Sequence, residues 1–76
     1  TRRAARDLDN LPPRLQNTTR KQLALLAANI RHPSLHAKKY EGEDDLWQGR
    51  VNRDYRFFFT IESDTYWIIS IISHPK

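Results

Sequence analysis

The sequence predicts an α+β fold, an N-terminal helical hairpin followed by an antiparallel meander of strands. Three features carry that prediction. Apolar residues recur at helical spacing from Ala4 to Ile30, broken once by a double proline. A charged loop follows. From Leu46 onward, runs of β-branched and aromatic residues are separated by short turn signals.

The first helix lies over Arg3 to Asn10, with Ala4, Leu8 and Leu11 on one side. Pro12 and Pro13 end it. Proline lacks a backbone donor but fits a first helical turn, so the second helix starts near Pro13. Leu15, Thr19, Leu23, Leu26 and Ile30 form its apolar stripe, and Gln16, Arg20, Lys21 and Asn29 lie mostly opposite. Pro33 turns His32 away from helical angles, which places the helix end near Asn29 or Arg31. Arg31 to Asp45 reads as loop, with Pro33, Gly42 and the acidic residues Glu41, Glu43, Asp44 and Asp45. Leu46 to Val51 is a short strand, and Asn52 to Asp54 a turn. Tyr55 to Glu62 and Thr65 to Ser73 are strands joined by Ser63 and Asp64.

Pairing Ile61 with Tyr66 assigns the two faces of that hairpin. Tyr55, Phe57, Phe59, Ile61, Tyr66, Ile68, Ser70, Ile72 and His74 share one face. Arg56, Phe58, Thr60, Trp67, Ile69, Ile71 and Ser73 share the other. Both are apolar in the middle. One carries the helices, and the other is expected to be an exposed patch of the kind that marks an interaction surface. Trp47 and Trp67 read as core residues rather than stacking platforms for bases.

Composition narrows the function. The chain has 76 residues with 13 lysines and arginines against 9 aspartates and glutamates, a net charge of +4. That length holds one domain and no large buried active site. A domain of this size buries only roughly 60% of its unfolded surface, so its stability is marginal. The absence of cysteine excludes disulfides and thiolate metal sites and is compatible with the cytosol. No apolar run approaches the roughly 20 residues of a membrane span. Two glycines are too few for a phosphate-cradling loop. His32 and His36 stand four apart with Pro33 between them and read as solvated loop residues, so neither a metal nor a cofactor is expected.

What remains is a basic constellation: Lys38 and Lys39 before the sheet, Arg50, Arg53 and Arg56 around the first turn, and His74 and Lys76 after the last strand. RNA can be cleaved by such a set. Its 2′-hydroxyl attacks the adjacent phosphate once a base removes the proton and cations stabilise the charge that develops. Histidine serves as base or acid near neutral pH, and arginine grips phosphate bidentately.

Several segments together carry a resemblance. They are Ala4 to Leu8, Leu11-Pro12, Arg31 to Leu35, Lys38 to Tyr40, Gly42, Leu46-Trp47, Arg50-Val51, Arg53 to Arg56, and Asp64-Thr65 leading to His74. In order and spacing, over nearly the whole chain, the sequence resembles the RelE/ParE superfamily of type II toxin–antitoxin systems, closest to its RelE-like branch. The resemblance implies two helices packed on a curved antiparallel sheet of three to four strands. It implies a cytoplasmic toxin that cleaves mRNA on the ribosome without a metal. A cognate antitoxin would neutralise it, and operator DNA would be bound only through that antitoxin.

Carried onto this chain, the resemblance gives Arg56 the phosphate contact and His74 the role of acid or base. Lys38 and Lys39 would contact RNA, Lys39 adding charge stabilisation in the transition state. Arg50 and Arg53 would contact ribosomal RNA, and Tyr55 would be structural. It also implies a strand before the first helix and a short extension beyond His74. Thr1 already opens the helix and Lys76 is the last residue, so residues 1–76 are expected to form a single toxin domain lacking those pieces. A lost edge strand predicts unpaired backbone groups along the sheet. Two other readings remain: a ParE-like inhibitor of DNA gyrase that cuts no RNA, and a catalytically inactive binding module.

Overall fold

A computed structural model of the chain describes residues 1–74. Lys76, part of the basic constellation, lies outside them. Helices α1 (Arg2–Asp9) and α2 (Pro13–Ala28) are followed by a 3-10 turn (Pro33–Leu35). Strands β1 (Lys38–Lys39), β2 (Trp47–Arg50), β3 (Tyr55–Glu62) and β4 (Thr65–Ser73) form one antiparallel sheet in the order β1-β2-β3-β4. The α+β architecture predicted from the sequence is present, with the two-helix segment packed on the sheet. No helix among the described residues is long and apolar enough to cross a membrane.

The helix boundaries follow from capping. Thr1 Oγ1 accepts a hydrogen bond from the Ala4 amide at 3.1 Å and starts α1. Gln16 Nε2 donates to the Asp9 and Leu11 carbonyls at 3.2 and 2.9 Å, satisfying groups left over where α1 ends. Pro13 opens α2, and Asn29 ends it in an extended conformation. The segment 31–45 is more ordered than the loop the sequence predicts. His32 caps the 3-10 turn, and Lys38–Lys39 pairs with Trp47–Gln48 as a fourth strand. A two-residue strand made of lysines has neither periodicity nor β-propensity to announce it.

The hairpin of β3 and β4 pairs Ile61 with Tyr66, as predicted. The face assignment beyond Ile68 is overturned. Phe59 pairs with Ile68 and Phe58 with Ser70, leaving Ile69 as an extra residue in a β-bulge. One inserted residue inverts the alternation, so Ile71 is 5% exposed in the core while Ile72 is 36% exposed outside. Trp67 is likewise not a core residue. It lies at 47% exposure on the outer face, opposite Thr60. Trp47 does pack on the core, stacked against Phe59.

Phe57 and Phe59 lie at the centre with Leu11, Leu26, Leu35, Val51 and Ile71 around them. The outer edge of β4 is not the row of unpaired groups that a lost strand predicts. Thr1 Oγ1 donates to the Ile69 carbonyl at 3.1 Å, and the Ile71 amide donates to the Asp7 carboxylate at 2.9 Å. Helix α1 therefore covers the edge at these positions, one of the ways sheets avoid pairing with other chains.

Candidate active site

The site begins with two arginines facing each other across a pair of strands. Arg50 on β2 is the register partner of Arg56 on β3. Like charges placed directly opposite repel, and among the described residues neither forms a salt bridge with a carboxylate. The turn between them is built by Asn52, whose Oδ1 accepts from the Asp54 and Tyr55 amides, both at 2.9 Å. Arg56 Nη1 donates back to the carbonyls of Asn52, Tyr55 and Arg53 at 2.6, 3.0 and 3.3 Å. All three bonds use Nη1, and among the described residues the other guanidinium donors make no hydrogen bond. Burial, reinforced by the charge of Arg50, pulls the Arg56 pKa below the ordinary guanidinium value, with Asp54 opposing. Arginine stays protonated despite such a shift, so the pair is a cationic site with Asp54 as the nearby opposing charge.

Arg50 is held from both sides. Its backbone carbonyl accepts from Gln22 Nε2 on α2 at 2.9 Å. Its Nη1 lies 3.4 Å from His36 Nε2, while its Nε is buried without a partner. A buried donor without an acceptor is costly unless something fills it. His36 reaches the groove because it adopts the left-handed conformation, φ 45°, directly after the 3-10 turn. His74 arrives from the other side, its amide donating to the Asp54 carbonyl at 2.6 Å. The bulge at Ile69 is what brings His74 to the face of Arg56, since unbroken alternation would have separated them.

The result is an open groove of about 350 Å³ lined by His36, Lys38, Gln48, Arg50, Arg56 and His74. Four of the residues singled out in the sequence meet there: Lys38, Arg50, Arg56 and His74. Lys39 does not join them. Neighbours along a strand point to opposite faces, and its ammonium lies 6.0 Å from the centroid of the Trp47 ring. Arg53 remains in the exposed turn, outside the groove, and supplies only a carbonyl to Arg56.

Sequence reasoning missed three residues. Gln22 was legible, since it falls on the stripe of Thr19 and Leu26 and is buried with them. Gln48 was legible too, being two residues before Arg50 on one strand. His36 carried no signal, because its position depends on a left-handed turn. His32 belongs to that turn and not to the groove: its Nδ1 accepts from the Ser34 amide at 3.2 Å. Among the described residues, no group of three or more His, Cys, Asp or Glu side chains is placed to hold a metal ion. Comparison with family models, with curated proteins and with solved structures finds no match to this chain.

The Gln22 contacts give a first prediction. Gln22→Ala removes donors from the Ser34 and Arg50 carbonyls, which tie α2 to the 3-10 turn and to β2. Unfolding in urea should show a loss of about 1–3 kcal/mol. Lys21→Ala, an exposed change one residue away, should stay within about 0.5 kcal/mol.

Proposed function

We propose that the groove binds an RNA phosphodiester and cleaves it. The observation that carries this reading is the placement of two guanidiniums and two imidazoles around one groove. The class of protein such a site suits is a small metal-independent ribonuclease. In particular, the chain acts as a RelE-like toxin of a type II toxin–antitoxin system, cutting mRNA on the ribosome in the cytoplasm. Its net charge of +4 suits both ribosomal RNA and an acidic antitoxin, through which operator DNA would be bound.

The chemistry needs one base and one acid. His36 is the base. Its Nε2 lies 3.4 Å from Arg50 Nη1, so it stands beside the phosphate that the arginine would hold, within reach of the 2′-hydroxyl proton. The 2′-oxygen then bonds to phosphorus and the bond to the 5′-oxygen breaks. His74, as imidazolium, protonates that leaving oxygen, so the products are a 2′,3′-cyclic phosphate and a 5′-hydroxyl. Arg56 and Arg50 hold the charge that grows on the phosphate, and Lys38 adds to it.

Single-turnover cleavage on mRNA-programmed ribosomes tests these roles. His36→Gln and His74→Gln should each slow cleavage by about 10²- to 10⁴-fold. An unchanged rate in the double variant would rule the two histidines out as proton carriers.

A further inference from the structure

Beside the groove, on the same outer face of the sheet, lies a smaller apolar recess of about 220 Å³. Tyr40, Phe58 and Ile72 form its walls, and it shares Gln48, Arg56 and His74 with the groove. We propose that this recess seats one nucleobase of the bound RNA, stacked on Tyr40. The proposal rests on the reading of the groove as an RNA phosphate site and adds the part of the substrate that the groove leaves unaddressed.

Three observations carry it. First, the Tyr40 ring is 42% exposed and stands edge-on to Phe58 with centroids 5.3 Å apart and planes at 85°. A ring standing this way offers a flat apolar face on which a base can stack, and such stacking tolerates any base. Second, the recess is below the roughly 300–1,000 Å³ of pockets that enclose drug-sized ligands, so it suits a single flat ring system. Third, it opens onto Arg56. A phosphate held by that guanidinium brings its own nucleoside to the recess, whereas an apolar side chain from a protein would leave the cation uncompensated. The Gln48 carboxamide, which makes no hydrogen bond among the described residues, stands at the junction with both a donor and an acceptor to offer a base edge.

The test uses an uncleavable 2′-O-methyl RNA trinucleotide and the same trinucleotide with its central base removed, titrated into the protein by calorimetry. Removing the base should weaken binding about tenfold or more, the size expected of one stacked base. Tyr40→Ala should weaken the intact probe equally and leave the abasic probe unchanged, while Tyr40→Phe should bind both like the parent. Equal affinities for the two probes, or an equal loss for both in Tyr40→Ala, would overturn the base seat. The groove is judged separately. Arg56→Ala should weaken both probes, and if it weakens neither, the phosphate site itself is wrong.

Discussion

Gly49→Ala is expected to cost the domain about 3 kcal/mol of stability or more. Gly49 is buried in β2 against the Phe57 ring, its register partner on β3. A methyl group there would overlap Phe57 Cζ and lie 2.8 Å from both Cε atoms. The ring cannot give way, since Phe57 is 0% exposed and packs on Phe59 at 5.6 Å between centroids. Overpacking of this kind costs about 1–3 kcal/mol and sometimes more, and here the obstacle is a central aromatic ring. A chain of this length has a total stability of about 4–11 kcal/mol, so a loss of about 3 kcal/mol is roughly a quarter to three quarters of it. Urea unfolding should show that loss for Gly49→Ala and partial recovery on adding Phe57→Leu. A change under about 1 kcal/mol would mean that Phe57 is not packed over the strand as described.

Arg56→Ala is expected to lower RNA cleavage by about 10³-fold, in the range seen when a single charge-stabilising group is removed from a phosphoryl or acyl transfer site. Nη1 is spent on the turn carbonyls, which aims the remaining donors and fixes the guanidinium beside Arg50. The substitution relieves a like-charge pair but removes the donor to three turn carbonyls, so a stability loss of about 1–3 kcal/mol should accompany a far larger loss of activity. Arg56→Lys separates charge from geometry. A lysine keeps the charge but lacks the planar fork, and should recover only a small part of the rate. Circular dichroism of both variants should match the parent. Cleavage within tenfold of the parent in Arg56→Ala would remove Arg56 from the reaction.

Much of the fold was legible because local signals agreed with one another. The double proline, the stripe from Leu15 to Leu26, and the alternation in Tyr55 to Glu62 each matched an element within a residue or two. The β-bulge at Ile69 was not legible, since an isoleucine run has the same composition with or without an extra residue. That single irregularity changed the core membership of Ile71 and Ile72 and the company of His74. The site was partly legible for a related reason. Residues spaced by two on a strand, such as Arg50 with Gln48, declare a shared face. His36 and Tyr40 come from a segment whose path is set by a 3-10 turn and a two-residue strand, and no periodicity describes it.

The central claim is that the groove cuts mRNA during translation. The most direct measurement is to induce the protein in bacteria and map mRNA 5′ ends by primer extension, for the parent and for Arg56→Ala. New ends in frame with the codons of translated messages, absent in the variant, are the predicted result. Growth arrest with intact mRNA would contradict it and favour inhibition of DNA gyrase, and no arrest at all would leave a binding module without catalysis.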